Sequence, residues 1–176
     1  MTLSAFVEFL SDTVAADPLF SDYIDETAAA QLAALKPLTN KDALRTPLPP
    51  AVLAQSLGMD EGWVAQLFML RYGMEYTPDK TMSLYEFVSF LTENVLPNPE
   101  YAAMFDDTAK GKLYQTKVIA DAVVNDKEFT AKEMADLLGE MGSPFDENTV
   151  ELLYLYHGSM EQTDTAYTMS PVQLVE

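Results

Sequence analysis

The sequence has no cysteine, a single histidine and only 10 basic residues against 28 acidic ones in a length of 176. The lack of cysteine removes any disulfide framework, thiol nucleophile or thiolate metal site. With His157 alone, neither a His-pair metal site nor a hydrolase triad drawing on a second histidine can form. His157 ends an apolar helical run, where its counterpart is Tyr72, and reads as a partly buried packing residue. The formal charge of −18 repels phosphate backbones and anionic lipid surfaces, so no nucleic-acid partner and no direct membrane insertion are expected. The 7 glycines are dispersed and form no phosphate-cradling loop. No stretch approaches the roughly 18 consecutive apolar residues of a membrane helix. The segment from Met1 to Phe20 also lacks the basic start of a signal peptide.

The sequence is instead rich in self-similarity. Met1-Thr2-Leu3-Ser4-Ala5-Phe6-Val7-Glu8-Phe9-Leu10 returns as Met82-Ser83-Leu84-Tyr85-Glu86-Phe87-Val88-Ser89-Phe90-Leu91, and the match runs without a gap to Leu32 and Leu113. Within it Val14, Pro18, Asp25, Thr27 and Ala28 recur as Val95, Pro99, Asp106, Thr108 and Ala109. Further on, Leu57-Gly58 matches Leu138-Gly139, and Gln66–Gly73 matches Glu151–Gly158. A third copy opens at Met169-Ser170-Pro171 and stops at Glu176. Such periodicity implies tandem units that bury a shared core. The expected organisation is a repeat over 1–81, a second over 82–168 and a truncated third over 169–176, the whole being a fragment of a longer chain. Met1–Leu32 and Met82–Leu113 should share one backbone shape, and apolar surface is expected near the broken ends.

Hydrophobic spacing sets the class. Phe6, Phe9, Leu10 and Val14 fall on one helical face, as do Phe87, Phe90, Leu91 and Val95. Each repeat reads as four short amphipathic helices. Asp25 and Asp106 are candidate caps of the second helix. The third covers about Ala51 to Leu57 and Ala131 to Leu138, closing on Gly58 and Gly139. The fourth starts near Asp60 or Asp146 and closes on Gly73 or Gly158. Hairpin signals are absent, and even the β-like run Val118 to Val124 is assigned to helix. The expected fold is all-α, with EF-hand-like helix–loop–helix pairs lacking metal as one form it could take.

The chemistry-bearing residues have simple structural roles at hand. An EF-hand loop ending on Glu86 would place Glu75, Thr77, Asp79, Met82 and Ser83 at ligand or pairing positions. Lys80 then stands where the sharp turn needs glycine, and Pro78 stiffens the loop. A second frame on Phe129 and Glu133 puts Ala122 and Val124 at the first two ligand positions. Capping boxes account for the same residues: Ser83 with Glu86, Thr130 with Glu133, and Ser170 with Gln173, the last strengthened by Pro171. Carboxylate pairs such as Asp106-Asp107 and Asp146-Glu147 suit helix starts. Methionines and aromatics follow helical spacing and read as core. No catalytic, cofactor-binding or metal-binding residue is therefore assigned.

Three phrases, Thr81–Leu91, Pro99–Phe105 and Val64–Gly73, resemble a repeated helical insert of bacterial exporters in the MMPL branch of the resistance–nodulation–division superfamily. The resemblance covers nearly the whole chain, since all of it is repeat. It implies a non-catalytic domain on the extracytoplasmic side of the cell membrane, carried by a proton-coupled exporter whose relay acids lie in membrane helices not included here. The implied partner is the rest of that transporter, with self-association through exposed repeat ends. An EF-hand-like regulator or adaptor and a small carboxylate-dependent hydrolase are the alternatives.

Overall fold

The computed structural model describes residues 1–20, 22, 24–143 and 145–168, with the side chains of the last helix described to 158. The fold is all-α, 72% helical and without strands among the described residues. In chain order, α1 (Leu3–Phe9) runs into a π-helical turn (Leu10–Val14), and α2 (Glu26–Leu35) into a 3-10 turn (Lys36–Thr39). Next come α3 (Lys41–Arg45), α4 (Pro50–Leu57) and α5 (Glu61–Tyr72). Then α6 (Leu84–Phe90) runs into a second π turn (Leu91–Val95), followed by α7 (Pro99–Ala102), α8 (Asp107–Val124), α9 (Ala131–Glu140) and α10 (Glu147–Thr168). The third repeat opening, with its Ser170/Gln173 box, lies outside the described residues.

Two compact units form, and their borders fall inside the sequence repeats. Unit 1 joins Met1–Leu35 to the described part of Glu128–Glu176, and unit 2 is Lys36–Lys127. Each unit thus combines the first half of one repeat with the second half of the other. In unit 2, Leu53, Val64, Phe68, Met82, Phe87 and Leu91 belong to one buried cluster. In unit 1, Phe6, Leu10, Val14, Met134, Val150 and Leu153 are buried. The two ends of unit 2 meet: α3 packs on α8, Lys41 pairs with Asp126, and the Arg45 guanidinium donates to the Val124 carbonyl at 3.5 Å.

Within each unit, two helix starts are joined backbone to backbone. Leu48 and Met82 exchange both amide–carbonyl bonds, at 2.9 and 3.1 Å, just ahead of the caps of α4 and α6. In unit 1 the Phe129 amide donates to the Met1 carbonyl at 2.9 Å, ahead of the caps of α9 and α1. All four joined residues precede a helix cap, and five positions on stand Leu53, Phe87, Phe6 and Met134, all 0% exposed. This is the spacing of a hydrophobic staple, which fixes the angle at which the chain enters each helix.

The two π turns share a local feature. Ser11 Oγ donates to the Val7 carbonyl at 2.8 Å, and Thr92 Oγ1 to the Val88 carbonyl at 2.9 Å. Hydroxyl back-bonding of this kind loosens the ordinary ladder. The amides of Ala15 and Leu96 then reach back five residues, to Leu10 and Leu91, at 3.0 and 2.8 Å. Hydrophobic spacing alone gives no sign of this widening.

The helix limits differ from the sequence expectation at several points. Pro37 has no amide hydrogen to continue the α ladder, so α2 stops after Leu35 and tightens into the 3-10 turn, and α3 follows as an added helix. Without a proline there, α8 runs for 18 residues and includes Val118–Val124. Gly58 does close α4, at φ 64°. Gly139, however, stays inside α9, and the left-handed closing glycine is Gly142, at φ 75°. The amide after each of these glycines reaches back five residues, Met59 to Ala54 and Ser143 to Leu138, as in a Schellman ending. Gly73 ends α5, but Gly158 lies within α10. The last helices also pair one residue out of the sequence match. Phe68 rests on Phe87 at 5.7 Å as Tyr154 rests on Phe6 at 5.7 Å, a register set by the caps Asp60 and Asp146.

These glycines make opposite predictions. Gly139→Ala adds a Cβ into open space within a helix and should stabilise by about 0.5–1 kcal/mol. Gly142→Ala forces a left-handed alanine and should destabilise by about 1–2 kcal/mol. Urea unfolding of the two variants checks both signs.

Candidate functional site

The loop from Glu75 to Glu86 is built as a helix start. Glu86 Oε2 accepts the Ser83 amide at 2.8 Å, and Ser83 Oγ accepts the Glu86 amide at 3.1 Å, a complete capping box. Lys80 lies 5.0 Å above the Tyr72 ring, whose hydroxyl donates to the Thr81 carbonyl at 3.0 Å. The Asp79 carboxyl is held below its ordinary range, first by the Thr77 hydroxyl. Thr130 and Glu133 form the second box, with bonds of 2.9 and 3.3 Å. Among the described residues no three acidic or histidine side chains gather as metal ligands would.

The carboxylate pairs are likewise engaged at helix starts. Asp106 accepts the Ala109 amide at 2.7 Å, while Asp107 faces Lys110 at 3.3 Å. Asp146 accepts the Thr149 amide at 2.8 Å, and that amide, followed by the Thr149 hydroxyl, holds its carboxyl below the usual range. His157 is half-buried and stands edge-on to Phe9 at 5.0 Å. Nearby, Tyr156 stacks on Phe20 at 4.4 Å and donates to Asp17 Oδ2 at 2.6 Å. That hydroxyl, then the Leu19 amide, lowers the Asp17 pKa. Tyr154 donates to the Phe129 carbonyl at 3.0 Å, and burial pushes its pKa up to about 12.

One polar cluster has no forerunner in the sequence reading. Lys117 on α8 meets both Asp121 oxygens at 2.6 Å and Glu93 at 3.4 Å, and Tyr85 on α6 donates to Asp121 at 3.0 Å. Lys117 Nζ also lies 5.5 Å from the Tyr85 ring centre. Desolvation pulls the Lys117 pKa down, but Asp121 and Glu93 more than offset it, leaving the amine above its ordinary value. Burial, then the Asp121 bond, raises Tyr85. Both groups therefore keep their protons at neutral pH and offer neither a nucleophile nor a base. The cluster clamps α6 to α8. The four-residue spacings Tyr85–Ser89–Glu93 and Lys117–Asp121 were its only trace in the sequence.

A depression of about 260 Å³ in unit 2 is lined by Leu70, Arg71, Phe90, Asn94 and Tyr101, below the range of about 300–1,000 Å³ typical of ligand pockets. Arg71 lies 5.9 Å above the Phe90 ring. Outward-facing apolar side chains are more prominent: Met69, Leu70 and Met74 in unit 2, and Leu152 and Leu155 in unit 1. The chain matches no family model, no curated protein and no solved structure.

Two measurements follow from these contacts. Glu86→Gln keeps an oxygen acceptor in the box but loses its charge at the helix start, and should cost about 0.3–1 kcal/mol, equally with and without calcium. A calcium-dependent difference would reveal an ion at Glu86. The lowered folded-state pKa of Asp17 means that its contribution is present above the unfolded value near 3.8 and lost as pH falls through the folded one. Asp17→Asn should therefore unfold with a shallower pH dependence below about pH 4 than the parent chain.

Proposed function

We propose that this chain is a non-catalytic extracytoplasmic domain of an RND/MMPL-like membrane exporter, acting as a structural or interaction module. The exporter part rests on the resemblance carried by Thr81–Leu91, Pro99–Phe105 and Val64–Gly73. One observation supports the module part. Glu86, Asp106 and Asp146 are engaged at helix starts and Lys117 and Asp121 in the clamp, while large apolar groups such as Leu70 and Leu155 face outward. Among the described residues no helix is long and apolar enough to cross a membrane. Partners on this reading are the remainder of the exporter and other copies of the domain.

A second reading, an EF-hand-like adaptor, is favoured by the reciprocal bond pair between Leu48 and Met82, which joins two helix–loop–helix segments at their loops. Calcium-dependent opening of an apolar groove would favour it over the exporter.

The exporter reading is tested in cells expressing the parent protein. The domain should sediment with membranes and be cut by protease added outside spheroplasts. Recovery in the soluble fraction, untouched by external protease, defeats the reading.

A further inference from the structure

The charge of the chain is distributed unequally between its units. Unit 2 holds nine of the 10 basic residues and 12 of the 28 acidic ones. Unit 1 is left with Lys132 as its only basic residue against 16 acids. Lys132 itself lies 3.8 Å from Glu147 at the start of α10. On α10, Leu152 and Leu155 are 52% and 72% exposed, one helical turn apart, with exposed Glu151 four residues before Leu155. An apolar stripe thus stands on a strongly acidic body.

We propose that the Leu152/Leu155 face of α10 docks a basic amphipathic helix, its apolar side on the two leucines and its lysines or arginines toward Glu151 and the other acids of unit 1. The proposal rests on the interaction-module reading and names the chemistry of the partner. Charge decides between occupants. Pairing two copies through this face would bring two bodies of 16 acids and one lysine together, and like charges set face to face oppose association. A cationic amphipathic helix meets complementary potential and covers the apolar stripe with its own apolar face.

The test uses the full chain and a Leu/Lys amphipathic peptide about five helical turns long, followed by calorimetry at about 0.15 M salt. One-to-one binding is expected. It should weaken at least about tenfold in the Leu152→Ser/Leu155→Ser variant, and equally for a scrambled peptide of the same composition, but not in Leu70→Ser. Peptide-dependent hydrogen-exchange protection should fall on α10, a readout independent of the variants. Equal binding of the scrambled peptide would reduce the effect to bulk charge and overturn the proposal. So would unchanged affinity of the double variant, or loss confined to Leu70→Ser. Sedimentation showing a dimer that the double variant abolishes would make the occupant a second copy instead. The exporter assignment stands or falls separately, by protease access.

Discussion

The architecture depends on backbone bonds between paired helix starts. The amide and carbonyl exchanged by Leu48 and Met82 hold the entries of α4 and α6 side by side, and the bond from Phe129 to Met1 does so for α9 and α1. Helix starts carry unsatisfied amides and a positive dipole end, so placing two together needs acceptors within reach. Ser83, Thr2 and Thr130 supply them from their side chains. The staple residues then commit each helix to one direction. Against these fixed entries, the caps Asp60 and Asp146 set the register of α5 and α10, so that Phe68 meets Phe87 in unit 2 and Tyr154 meets Phe6 in unit 1.

Much of this was legible in the sequence, for a physical reason. The apolar faces Phe6–Phe9–Leu10–Val14 and Phe87–Phe90–Leu91–Val95 are fully or nearly fully buried, and α1 and α6 occupy corresponding residues. Cap chemistry is local, and the two described boxes follow from three-residue spacing. What escaped depends on non-local or weakly coded terms. The π turns widen the helices at Leu10–Val14 and Leu91–Val95, positions that no helical wheel marks. Gly139 and Gly142 look alike in a sequence, and which becomes left-handed depends on where α9 can stop. The Lys117 clamp unites α6 and α8, whose approach no local spacing encodes. The unit borders were not visible either, because repetition reports likeness between segments and says nothing of which halves pack together.

For function, engagement of polar groups carries the argument. A carboxylate that accepts a helix amide is oriented by the backbone it caps. Asp106, Asp146 and Glu86 are all in this position. The surface retains exposed hydrophobic side chains, and charge is spread unequally between the two units.

The meeting of Lys41 with Asp126 and of Arg45 with Val124 bears on how the chain is made. Unit 2 is one uninterrupted stretch inserted into a unit whose parts flank it, so during synthesis it can complete its core while the last segment is still unmade. Its ends are then already held together. The loop that would separate the two parts of unit 1 is thereby shortened, and with it the entropy lost in bringing Met1–Leu35 to α9 and α10. Changes that open the Lys41–Asp126 end of unit 2 would therefore slow the closure of unit 1, an effect on assembly order exerted by residues outside its core.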